Sequence, residues 1–196
     1  MFQVRIHGRG GQGVVTAAEL LSVAAFHDGL HAQAFPSFGS ERTGAPVIAF
    51  CRISHHPIRL REPVMAPDAL IIQDSTLLQS VDVFAGATPT AYILINTSRT
   101  FDDLGLTEFL ENRHAERNLI LPASEIALRL VGRPMPNAAL LGGFAAATDL
   151  VTLKSVLNAI SERFPERIAA ANIAAAQEAH DFVLSTRKEM THASTN

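Results

Sequence analysis

The chain has 196 residues, 47 % of them apolar and 18 % charged, with a formal net charge of −3. Such values suit one domain with a substantial core and exclude a basic nucleic-acid-binding surface. The longest apolar stretch, 138–147, is far shorter than the about 20 residues that cross a bilayer, the amino terminus shows no secretory pattern, and the single cysteine, Cys51, excludes an internal disulfide or a cysteine-built cluster and fits a reducing cytoplasm.

Phe2 to His7 alternates as a half-buried strand does, and a glycine loop follows, His7-Gly8-Arg9-Gly10-Gly11-Gln12-Gly13. Val14, Ala17, Ala18, Leu21 and Ala25 then recur at helical spacing, which predicts a helix from Val14 to about His27. Leu30–Phe35 reads as a second strand, Pro36–Pro46 as a loop, and Val47–Ile53 as a strand antiparallel to a neighbour. The runs Ala69–Gln73, Ala91–Ile95 and Leu119–Leu121 are almost uniformly apolar, as strands covered on both faces are. Ser124–Val131 reads as a helix ended by Gly132, and Asn137 as the cap of a helix to Thr148. That helix has almost no polar face, so it belongs in a core or an interface, and its Gly142-Gly143 pair permits close approach of another element. Helices from Leu153 to Arg163 and from Glu166 to about Lys188 follow, the last with Ile168, Ala171, Ala175, Ala179 and Phe182 on one stripe. The expected architecture is α/β: a Rossmann-like, mostly parallel sheet with helices on both faces and a C-terminal helical extension. Residues 1–190 read as a single domain and 191–196 as a loose tail.

Gly8, Gly10 and Gly13 satisfy the G-x-G-x-x-G spacing between a strand and a helix. A helix amino terminus offers unpaired N–H groups and partial positive charge, and glycines let an anion approach. A dinucleotide site also needs an acidic residue at the end of the second strand, where this chain has Ala34-Phe35-Pro36, and the lysine of a P-loop is absent because Val14 and Val15 follow Gly13. Three readings stay open: a dinucleotide site, a tight turn that only packs helix on sheet, and a contact with a phosphate-bearing coenzyme or another subunit's backbone. His55-His56 lacks further ligands at metal spacing and reads as a turn. His7 reads as a core or supporting residue and Cys51 as a small buried hydrophobe. No nucleophile–base pair is evident, so the chain alone does not read as a catalyst.

Two stretches together carry a more specific signal: Gly8-Arg-Gly-Gly-Gln-Gly-Val-Val-Thr-Ala-Ala-Glu-Leu-Leu21 and Phe35-Pro-Ser-Phe-Gly-Ser-Glu-Arg-Thr-Gly-Ala-Pro-Val47. They resemble the gamma subunit of 2-oxoacid:acceptor oxidoreductases, the pyruvate:ferredoxin oxidoreductase type. Asp68–Asp74, Asn96-Thr97, Ala123–Ala127 and Gly132–Asn137 agree in order, so the similarity spans about Val4 to Glu178. Thr43 departs from it, standing where many pyruvate-type members carry Arg.

The resemblance implies a multisubunit complex that oxidatively decarboxylates a 2-oxoacid with coenzyme A, giving an acyl-CoA, carbon dioxide and two electrons. Pyruvate, 2-oxoglutarate, branched-chain acids and aromatic acids such as phenylglyoxylate all remain open as substrates. It implies that thiamine diphosphate, Mg2+ and iron–sulfur clusters sit on companion chains: alpha and beta subunits, a ferredoxin-like delta subunit, and a FAD-bearing subunit if the acceptor is a nicotinamide. This chain is then expected to hold none of them alone and to act in assembly and coenzyme A or subunit contact. The candidate residues for that contact are Gly8, Gly10, Gly11, Gln12, Gly13, Ser37, Glu41 and Arg42, with no catalytic and no metal-ligating residue. Parallel neighbouring placement of the first two strands would bring both glycine-bearing loops to the carboxyl edge of the sheet. The alternative reading is a free-standing nucleotide-binding regulatory protein of Rossmann type.

Overall fold

The structure is a computed structural model that describes residues 1–37 and 43–193. In chain order its elements are β1 (Phe2–Arg9), α1 (Val14–His27), β2 (His31–Pro36), β3 (Pro46–Ser54), β4 (Ala69–Ile72), β5 (Tyr92–Asn96), α2 (Thr107–Leu110), β6 (Asn118–Leu121), α3 (Ala123–Val131), α4 (Asn137–Thr148), α5 (Leu153–Arg163) and α6 (Glu166–Ala193). Short 3-10 turns occupy Ser75–Gln79 and Ala115–Arg117.

The strands form one six-stranded sheet in the order β2-β3-β1-β4-β5-β6. β1, β4, β5 and β6 run parallel, whereas β3 is antiparallel to both β1 and β2. The first two strands are therefore not neighbours, because β3 lies between them. They still point the same way, since two antiparallel pairings restore direction.

Alternation along the strands divides the apolar residues between two cores. Val4, Ile6, Ala69, Ile71 and Leu94 face the core shared with α1 and α3 to α6, while Leu70, Ile72, Ile93 and Ile95 face a smaller one with Leu77, Val83 and Leu106. The long helices thus cover one face. The other is covered by the short turn at Ser75–Gln79, by α2 and by connecting segments.

Eleven of the twelve residues of α4, all but Thr148, are buried, so the all-round apolar helix lies in the core of this chain. A Cβ on Gly142 would stand 2.0 Å from the Ala176 carbonyl oxygen of α6, so the glycine sets the distance between these helices. Asn137 does not cap α4. Pro136 occupies that position, and Asn137 is the buried first residue, its Oδ1 accepting from the Ala138 N–H at 2.9 Å.

The buried line on α6 is Ala169, Asn172, Ala175, Ala176, Ala179 and Val183, with Ala175 and Ala179 on it as expected. Ile168 and Phe182, expected on that stripe, are 47 % and 41 % exposed, because each sits one residue out of phase with it. The same helix continues past Lys188 to Ala193, so Thr191 to Ala193 belong to it rather than to a tail. Residues 194–196 lie outside the described set.

Candidate functional site at the carboxyl edge of the sheet

Beyond β1 the chain must turn from strand into helix in a few residues. Gly8, near the end of β1, and Gly10, in the turn itself, are both buried. A side chain at Gly8 would strike Val14 Cγ2 at 2.5 Å. Gly10 is fixed by its backbone, its N–H donating to Ala45 O at 2.9 Å and its carbonyl accepting from Gly44 N at 3.0 Å. Gly13 then enters α1 with φ of 72°, a left-handed conformation that favours glycine. Its missing Cβ also clears Asn137 Nδ2, which would lie 2.8 Å away. Among the described residues no side chain caps α1, and no acidic residue stands in its first turn. The helix amino terminus therefore presents N–H groups and partial positive charge at this edge.

Charged and amide side chains lock this loop to its neighbours. Gln12 Oε1 accepts from the Arg9 N–H at 2.7 Å, and Gln12 Nε2 donates to Asp74 Oδ2 at 2.9 Å. Arg9 donates from Nε to the same Asp74 oxygen at 3.2 Å, from Nη1 to Gly44 O at 3.1 Å and from Nη2 to Thr76 Oγ1 at 2.8 Å. Three connections, after β1, before β3 and after β4, are joined by this one guanidinium. Burial alone would raise the Asp74 carboxyl. Hydrogen bonds from the Thr76 hydroxyl, Gln12 and the Thr76 N–H, with the nearby Arg9 charge, hold it below the usual carboxylate range.

Beside the loop, the ends of β4, β5 and β6 enclose a polar cleft of about 350 Å³ lined by Gln12, Gln73, Asp74, Asn96, Arg99 and Ser124, among others. Asn96 is committed within it: Nδ2 donates to Gln73 O at 2.7 Å and to Ser124 Oγ at 2.8 Å, and Oδ1 accepts from Ser124 N at 3.0 Å. The carboxamide thereby ties β5 to the first turn of α3.

The candidates from the sequence fall unevenly on this edge. Gly11, Gln12 and Gly13 lie at its accessible side, Gly8 and Gly10 underneath. Ser37, at the end of β2, donates its N–H to Ile48 O at 2.8 Å and so lies across β3 from the glycine loop. Glu41 and Arg42 lie outside the described residues. Sequence reasoning missed Arg9, Asp74, Gln73 and Asn96 as site residues. The signal for three of them was present, since Gln73 and Asp74 directly follow β4 and Asn96 ends β5, where ligands of open α/β sheets gather.

The groups with reactive potential are committed elsewhere. His7 accepts at Nε2 from Arg5 Nε at 3.0 Å, and burial, with the Arg5 charge, pushes it down to about 4. Arg5 continues to the carbonyls of Val83 at 3.0 Å and Ala85 at 2.6 Å, so the pair is an internal staple. Cys51 is buried in β3, where desolvation pushes its thiol up to about 12. Such a donor set does not fit an iron–sulfur cluster, and among the described residues no three His, Cys, Asp or Glu side chains gather as a metal site. Among the same residues no helix is long and apolar enough to cross a membrane.

A Rossmann-like α/β module results, with a glycine-entered helix at its carboxyl edge. The profile of the pyruvate ferredoxin/flavodoxin oxidoreductase family matches residues 3–182. The chain is 50 % identical over 160 residues to the pyruvate synthase subunit PorC of Methanosarcina barkeri, covering 82 % of this chain and 85 % of that one. It is 42 % identical to the pyruvate/ketoisovalerate oxidoreductases common subunit gamma of Pyrococcus furiosus, covering 92 % and 96 %. Among solved structures it is similar to pyruvate oxidoreductase subunit PORC of Thermotoga maritima, with a TM-score of 0.79, 33 % identity, and 92 % and 95 % coverage. The chain belongs to the pyruvate ferredoxin/flavodoxin oxidoreductase family, as a gamma-type subunit.

Proposed function

We propose that this chain works in a complex that oxidatively decarboxylates a 2-oxoacid with coenzyme A to an acyl-CoA, carbon dioxide and two electrons, and that its glycine loop receives coenzyme A or the companion subunit that carries it. The observation that supports this most is the uncapped amino terminus of α1, entered through Gly13 and free of acidic residues in its first turn. A phosphate group gains there both from N–H donors and from the partial positive charge. Pyruvate is the favoured 2-oxoacid, because the relatives are named for pyruvate, and a branched-chain acid is next, because one is named for ketoisovalerate as well. That relative is a subunit common to two oxidoreductases. A shared subunit suits a shared step, coenzyme delivery or assembly, better than choice of acid.

Thiamine diphosphate with Mg2+ and iron–sulfur clusters, on alpha, beta and ferredoxin-like delta subunits, would supply the carbon chemistry and carry the electrons away, with a flavin subunit where a nicotinamide is the acceptor. A dinucleotide site on this chain is disfavoured by topology. β3 separates β1 from β2, and β2 ends at Pro36 without a carboxylate for a ribose.

The test is reconstitution with the companion subunits and assay over a panel of 2-oxoacids. Acyl-CoA formed from pyruvate only when this chain is present is the expected result. A complex equally active without it, or a chain that purifies without any companion, would overturn the proposal.

A further inference from the structure

Among the described residues, four buried side-chain atoms lack a hydrogen-bond partner: Gln33 Oε1, Arg52 Nη1, and both Gln73 Oε1 and Nε2. The first two belong to residues directly opposite each other on β2 and β3, an acceptor and a donor on paired positions. Gln73 has no such counterpart. It is 1 % exposed, its carboxamide has neither its donor nor its acceptor engaged, and it lines the cleft at the ends of β4, β5 and β6. Leaving a buried polar group unpaired costs about 1–3 kcal/mol, so such groups call for an explanation.

The surroundings narrow what the partner is. Asn96 is fully committed to Gln73 O, Ser124 Oγ and Ser124 N, and Asp74 to Gln12, Arg9 and Thr76. Asp74, Glu125 and Arg99 line the same cleft, two carboxylates against one guanidinium that also donates to Asp103 O, and Glu125 stands in the first turn of α3, so that helix end is a poor place for a phosphate. Anionic groups are directed instead to α1, whose first turn carries no carboxylate. Gln12 and Gln73 both approach Gly8: a Cβ there would stand 3.1 Å from the Oε1 atom of each.

We infer that this cleft is a binding subsite for an uncharged ligand group carrying a hydrogen-bond donor beside an acceptor, which the Gln73 carboxamide pairs on both atoms. A carboxamide makes that two-point match with an adenine edge and equally with a secondary amide. The inference rests on the reading that α1 receives the phosphates of a coenzyme, for the cleft is where the uncharged part of the same molecule would lie.

The assembled complex tests it, with adenosine and pantetheine as separate inhibitors competing with coenzyme A. Gln73→Leu should raise the inhibition constant of one probe about tenfold, equivalent to ~1.4 kcal/mol, and leave the other unchanged. An effect on adenosine identifies the adenine edge, and an effect on pantetheine the amide. If Gln73→Leu fails to assemble, Gln73→Glu, which keeps the shape and removes the donor, carries the same expectation. Equal loss for both probes, no loss for either, or failure of both to compete in the unsubstituted complex would overturn the subsite and leave Gln73 as the partner of a structural water. A coenzyme A footprint on the glycine loop separates the two claims: its presence with insensitive probes rejects the subsite alone, and its absence rejects the reading beneath it.

Discussion

Arg9 and Asp74, 65 positions apart, share an ion pair at 3.2 Å that joins the glycine loop to the turn after β4, and the same Asp74 oxygen accepts from Gln12 at 2.9 Å. The pair is partly exposed, so its Coulombic part is modest. Its weight lies in orientation: Asp74 turns the Gln12 carboxamide so that its carbonyl meets the Arg9 N–H. Asp74→Ala strands four donors, Arg9 Nε, Gln12 Nε2, Thr76 N and Thr76 Oγ1, and should loosen the loop by about 1–3 kcal/mol. Amide hydrogen exchange across residues 9–13 should quicken while the strands keep their protection. Unchanged exchange there would show that the Gly10 backbone pairing holds the loop unaided.

His7 makes stability depend on pH. Its pKa is pushed down to about 4 in the fold, against about 6.5 in an unfolded chain. The unfolded chain therefore binds the proton first as pH falls. The stabilisation is fully present above about pH 6.5 and is lost progressively toward pH 4, on the order of 3 kcal/mol in all. Denaturant melts of the chain should show the decline in that window, and His7→Gln, which keeps an acceptor for Arg5, should flatten it. An equally steep decline in the variant would assign the effect to other groups.

Gly142 offers a test of packing with a reversed sign. Glycine to alanine in an open helix stabilises by roughly 0.4–1 kcal/mol. Here the new methyl would stand 2.0 Å from the backbone oxygen of Ala176, which cannot move without moving α6. Gly142→Ala should destabilise by about 1–3 kcal/mol or more. A thermal melt at or above that of the unsubstituted chain would show that the α4–α6 contact is looser than described.

Much of the fold was legible because local pattern fixed it. The strand, glycine loop and helix at the start were readable from alternation, Gly13 and the spacing of Val14, Ala17, Ala18 and Leu21, and α1 runs from Val14 to His27 as expected. Strand order was not legible, since an apolar run reports burial and not which strand lies beside it. Nothing in residues 47–53 says that β3 sits between β1 and β2. The α6 stripe held at Ala175 and Ala179 but not at its ends, for a related reason: alanine is so frequent there that Ile168 and Phe182 drew the line to themselves, while Asn172 and Val183 carry it. At the site, the glycines were visible because their role is local. Arg9 and Gln73 were not, since one takes its meaning from Asp74 and the other from a cleft made by three distant strands.

The central claim is that the glycine loop and the amino terminus of α1 receive coenzyme A, and hydrogen exchange of the assembled complex with and without coenzyme A tests it most directly. Protection is predicted across residues 10–16, and Gly13→Ala should raise the coenzyme A KM more than it lowers kcat, since its new Cβ would meet Asn137 Nδ2 at 2.8 Å in a left-handed backbone. Protection confined to companion subunits, with residues 10–16 exchanging at one rate in both states, would contradict the account.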